Sequence, residues 1–145
     1  MTVSMAARII CIGNRFVGED DFGSRVYDML AGMALPAGVE IVDGGLAGLN
    51  LLRYLDDGRS IVFIDAVSGF APLGEITVID GDVIARQATG SYGHEAGLPF
   101  LLGVLPTVVD NPPPRIRLVG CEGSASDSAV QDAARLSLQL ALEAL

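Results

Sequence analysis

Three features of the chain predict a three-layer α/β/α sandwich on a mixed five-stranded sheet with strand four antiparallel. Short apolar runs rich in Val and Ile recur along the sequence, the pattern of strands buried on both faces. Segments of helical periodicity separate most of them, as in sheets built from strand–helix–strand units. One link, residues 66–74, carries Gly69, Pro72 and Gly74 and falls short of the dozen or so residues of a helical crossover, so the strand after it should run antiparallel.

The elements follow in order. An apolar run over 8–12 is the first strand, and it stops at Gly13 and Asn14. A helix is expected over 21–32, with Val26, Met29, Leu30 and Met33 on one face and Asp20 or Asp21 as its cap. Residues 39–42 form a second strand ended by Asp43, Gly44 and Gly45, and 49–55 a helix stopped by Asp56, Asp57 and Gly58. The β-branched and aromatic run 60–64 is a third strand closing at Asp65, and 75–79 is the fourth. After the polar stretch 90–93, His94 is expected to open a helix to Leu105; 115–121 is the fifth strand and 127–145 a closing helix. With no linker or internal repeat, 145 residues suit a single domain over 1–145.

Composition narrows the partners. Half of the residues are hydrophobic and 19% are charged, which fits a filled core and argues against disorder. A net charge of -9 disfavours nucleic acid and anionic membrane surfaces. No apolar run reaches the roughly 20 residues that span a bilayer, and the first residues lack the blocks of a signal peptide, so a cytoplasmic monomer is expected. Cys11 and Cys121 lie outside any CxxC and need not pair in a reducing compartment.

In such a sheet the loops after strands one and three diverge and leave a crevice at the carboxyl ends of the strands. Asp20 and Asp65 emerge there, and His94, the single histidine, lies on the segment returning to the same edge. Two carboxylates and an imidazole form a borderline donor set, suited to Zn, Ni, Fe or Mn rather than to the all-oxygen shells of Ca or Mg. Each residue also has a plainer reading. Asp20 and Asp21 suit a helix cap, Asp43 suits the amides of a turn, and a lone His at a helix start is commonly an ordinary polar residue. A nucleophilic mechanism has Ser91, Ser124, Ser126, Ser128 and two cysteines to draw on, but no G-x-S-x-G elbow is present, and Cys11 sits inside a buried strand.

Four blocks, in order, resemble the endopeptidases that mature nickel-iron hydrogenases: Gly13-Asn14 with Glu19-Asp20-Asp21-Phe22-Gly23; residues 43–49, Asp-Gly-Gly-Leu-Ala-Gly-Leu; Ile64-Asp65-Ala66-Val67; and 91–98 around His94. The resemblance implies that Asp20, Asp65 and His94 are the catalytic and metal-binding residues, with Asn14, Asp43, Gly44 and Gly45 meeting the substrate. It also implies that the metal is nickel already inserted in the [NiFe]-hydrogenase large-subunit precursor, whose C-terminal extension the enzyme removes. Zn or Cd would then substitute in the isolated protein. A metal- or precursor-binding module of the same fold, without catalysis, is the alternative. Glu19, Leu46 and the run Gly120-Cys121-Glu122-Gly123 depart from the family pattern, in loops expected to contact the substrate.

Overall fold

The computed structural model describes residues 7–16, 20–46, 48–86 and 97–143. Among these residues five strands form one sheet in the order β2-β1-β3-β5-β4: β1 Ala7–Ile12, β2 Val39–Gly45, β3 Ser60–Val67, β4 Ile76–Asp80 and β5 Ile116–Glu122. β1, β2, β3 and β5 are mutually parallel. β4 runs antiparallel, as its short connection requires, and its partner is β5 rather than the preceding strand. Among the described residues four α-helices, α1 Phe22–Ala31, α2 Gly81–Arg86, α3 Leu98–Val108 and α4 Asp127–Leu142, and a 3-10 helix, Leu49–Tyr54, cover the two faces.

Side chains alternate across each strand, so the sheet sorts its apolar residues into two cores. Ile9, Cys11, Val62, Ile64, Val119 and Cys121 pack against Val26 and Leu30 of α1 and Val130 and Ala133 of α4. Ile10, Ile12, Phe63 and Leu118 face the other way, against Leu51 of the 3-10 helix, Ile84 of α2 and Leu98, Leu101 and Leu105 of α3. Both cysteines are free and buried within the first core. Burial drives the Cys11 thiol far above its ordinary pKa, which leaves it a packing group rather than a nucleophile. No described helix is long and apolar enough to cross a membrane.

Several boundaries differ from expectation. β2 runs on through Asp43 to Gly45, and β3 through Asp65 to Val67, so both acidic residues lie in strands rather than beyond them. The segment 49–55 is a 3-10 helix, and α2, absent from the sequence reading, follows β4 without a gap. His94 lies outside the described residues and is not the start of α3: Gly97, at φ 93°, is the N-cap, and Pro99 fills the first turn, where a missing N–H costs nothing. Met33 lies past the end of α1 and is 40% exposed. Ser126 caps α4, its hydroxyl accepting from Ala129 N at 3.1 Å.

Candidate functional site

The site begins where β1 turns into α1. Gly23 lies so close to the Ile12 backbone that any Cβ there would collide with it. Gly13 has the same close approach to the Asp20 carbonyl. The two glycines fold the loop tightly over the end of β1, and the Asn14 amide donates to both the Asp20 carbonyl (2.8 Å) and its carboxylate (3.2 Å). Asp20 is therefore held by the loop that carries it. Asp21 occupies the N-cap position of α1, yet its side chain makes no capping bond and instead lies 4.0 Å from Arg25. The cap expected of Asp21 is not formed, because the backbone turn has already been fixed by Asn14, and an i,i+4 arginine competes for the carboxylate.

Asp65 sits near the carboxyl end of β3, where alternation sends its side chain to the same face as Phe63 and Ile61, the face covered by α3. α3 approaches that end of the sheet. The chain leaving α3 lies at the opposite, amino end of the sheet, where Gly58 N donates to Asn111 O, so the start of the helix points back toward the crevice. Burial, with the facing Asp20 carboxylate, pushes Asp65 up to about 8, and a hydrogen bond from the Ala66 amide only partly opposes this. Among the described residues neither Asp20 nor Asp65 has an ion-pair partner. Two facing carboxylates without a counter-charge are a donor set that a divalent cation fits. No group of three or more His, Cys, Asp or Glu side chains close enough to hold a metal occurs among the described residues, so the described part of the expected triad contributes two donors.

The other expected residues lie nearby in different roles. A bulge in β2 places Ile12 opposite Gly45 rather than Gly44. Gly45 takes the left-handed conformation, φ 61°, and its carbonyl accepts from Gly13 N at 2.8 Å, which ties the second loop to the first. Gly44 is packed over Ile10 and Leu51. Asp43 accepts from Gly45 N (3.3 Å) and pairs with Arg15 (3.4 Å), which also reaches Asp28. By alternation it shares the face of Cys11 and α1, opposite to that of Asp65, so the structure does not bring these two carboxylates together.

Sequence reasoning missed Glu122. This residue ends β5, is 6% exposed, and lies on the same face as Asp65, two register positions beyond Gly120, which pairs with Asp65. Its carboxylate accepts from the amides of Gly69 (2.8 Å), Phe70 (2.7 Å) and Ala71 (3.0 Å). These bonds, the Phe70 amide first, hold it below the ordinary glutamate range. The signal was the one that singled out Asp65: an acidic residue closing an otherwise apolar strand.

An α/β sandwich with paired carboxylates at the carboxyl ends of its central strands belongs to the large class whose ligands meet the sheet at that edge. Residues 24–143 match the family model described as hydrogenase maturation protease, and the chain belongs to that family. The Hydrogenase expression/formation protein HupD of Rhodobacter capsulatus is 32% identical over 117 residues, covering 79% of this chain and 55% of HupD. The chain thus spans little more than half the length of that relative. The hydrogenase 2 maturation peptidase from a Thaumarchaeota archaeon is 30% identical, over 95% of this chain and 96% of its own, with a TM-score of 0.59. The hydrogenase maturating endopeptidase HybD from E. coli shares the fold at a TM-score of 0.74 and 24% identity, over 97% and 92% of the two chains.

Proposed function

We propose that this chain is a cytoplasmic, monomeric endopeptidase that recognises nickel in the [NiFe]-hydrogenase large-subunit precursor and removes the precursor's C-terminal extension. Asp20, Asp65 and His94 are the groups that grip the ion, with Asn14, Gly44, Gly45 and Asp43 lining the approach. The observation that carries this reading is Asp65, a partly buried carboxyl pushed up to about 8 against a facing Asp20, in a chain of the hydrogenase maturation protease family.

The arrangement has a chemical consequence. Near neutral pH Asp65 holds its proton while no cation is present, which relieves the repulsion from Asp20. A nickel ion arriving with the precursor displaces that proton and is held by both carboxylates, and the imidazole of His94 completes a borderline donor set. Held by these residues, the ion would polarise the carbonyl of the neighbouring peptide bond, and water would add its hydroxyl to that carbon and its proton to the departing amine. Zn or Cd fills the same donors in the isolated protein.

Incubation with nickel-loaded precursor, followed by mass measurement of the precursor's C terminus, tests the proposal. Loss of a single C-terminal peptide from the nickel-loaded form and none from the metal-free form is expected. An intact precursor in both arms leaves a binding module without catalysis, and cleavage of both removes nickel recognition.

A further inference from the structure

Beside Asp65 lies a cleft of about 700 Å³, lined by Ala66, Val67, Ser68, Leu73, Glu122 and Ser124 among others. Its first wall is the continuation of the strand that carries Asp65. β1 stops pairing with β3 at Cys11↔Ile64, whereas β5 continues to Val67↔Glu122. Past Ile64, β3 therefore has β5 on one side and, among the described residues, no paired strand on the other. That free backbone lies on the β1 side of β3, the side of Asp20, and Ala66 and Val67 lead from it across the strand end into the cleft on the β5 side. The second wall is the β3–β4 loop, which presents Leu73, 85% exposed, at the lip and Phe70, 36% exposed, beside it.

Glu122 fixes that loop. Three consecutive amides converge on its carboxylate, and Gly74 N adds a bond to its main-chain carbonyl at 2.7 Å. With both oxygens occupied, the carboxylate serves the loop rather than the cleft. Gly120 makes room for Val67, which lines the cleft: a Cβ at Gly120 would stand 2.8 Å from the Val67 side chain.

We propose that this cleft receives the extended peptide of the precursor on one side of the scissile bond, with an apolar side chain against Leu73, and that Glu122 is the positioning residue that holds the receiving loop. The proposal rests on the endopeptidase reading above and assigns the place of the peptide chain. An exposed leucine at the rim of a cleft adjoining Asp65 gains burial only when a ligand covers it. The cleft's volume falls within the range of sites that enclose a ligand-sized group.

The test titrates nickel-loaded precursor against wild type, Leu73→Asp, Glu122→Gln and Glu122→Ala, with the C-terminal mass as readout and far-UV circular dichroism as the check on folding. Leu73→Asp should raise KM about tenfold, the loss expected for one leucine side chain no longer buried on binding, with kcat nearly unchanged. Glu122→Gln should also raise KM, and amide exchange at Gly69, Phe70 and Ala71 should quicken in the order wild type, Gln, Ala. Wild-type kinetics in both Leu73→Asp and Glu122→Gln overturn the assignment, as does a loss confined to kcat. Unchanged exchange at the three amides removes Glu122 as the holder of the loop. A wild-type protein that leaves every precursor intact overturns the parent reading, and the peptide assignment falls with it.

Discussion

The two ends of the sheet carry opposite electrostatic designs. At the amino end, Arg8 of β1 is buried and donates to Tyr54 O at 2.7 Å, to Asp57 at 3.1 Å and to Glu40 at 3.4 Å, while Arg59 reaches Glu40 at 3.2 Å. Its guanidinium also lies 5.6 Å from the Tyr54 ring centroid. Two cations meet two carboxylates, and Arg8 holds Asp57 below its ordinary range against the opposing push of burial. At the carboxyl end, Asp65 faces Asp20, and the nearby Arg15 is committed to Asp28 and Asp43. One end uses charge to close the fold; the other sets two carboxyl groups together without a counter-charge, an imbalance that a proton on Asp65 relieves at neutral pH and that a cation from outside would relieve in its place.

The largest effects should separate the ends by kind. Asp20→Ala, Asp65→Ala and His94→Ala should each lower processing of nickel-loaded precursor more than about 100-fold, beyond the range of residues that merely support a ligand. The thermal midpoint should stay within a few degrees of wild type. Full processing by any one of them would take that residue out of the ligand set. Arg8→Met should do the reverse. Glu40 and Asp57 would lose their shared cation, at a cost of about 2–3 kcal/mol, below the range for fully buried pairs because both carboxylates are about a third exposed. Urea denaturation measures that loss, and kcat/KM at a temperature where the variant is folded should match wild type. A selective loss of processing in Arg8→Met would break the division between the two ends.

The sequence revealed the carboxyl end better than the amino end. Asp65 announced itself as an acid closing an apolar strand, and the link after it was too short for a crossover, so both the residue and the antiparallel strand could be read from local pattern. The pairing of β4 with β5 was not readable, because strand choice depends on which edge the returning chain can reach. Arg8 was hidden as a charge inside an apolar run: its partners Tyr54 and Asp57 come from more than 45 residues away, and only the register of β1 with β2 and β3 brings them together. α2 escaped notice because six residues are too few for a period to emerge beside a strand. The start of α3 was misplaced at His94 although Gly97 and Pro99 carried the better signal. Asp21 showed that a cap residue in the right position makes no cap when a nearby arginine competes for its side chain.

The smallest effect is the one that tests the imbalance itself. The folded-state pKa of Asp65, about 8, lies above the value of about 4 for an unfolded aspartate, so the folded protein binds the extra proton between those limits. Stability should therefore fall as pH rises from about 4 toward 8, and the loss should level off above that, where both states are ionised. Asp65→Asn has no proton to lose. In metal-free protein its advantage over wild type should be near zero at pH 4 and grow to about 1–2 kcal/mol by pH 8, discounted from the full shift for solvent reaching the partly exposed carboxyl. Urea midpoints at several pH values measure the gap. Added Zn should narrow it, because a cation bound by wild type offsets the repulsion that the variant avoids and stabilises the folded state by mass action. A gap that stays constant from pH 4 to 8 would mean that Asp65 ionises normally, and the carboxyl end of the sheet would then be no more strained than the amino end.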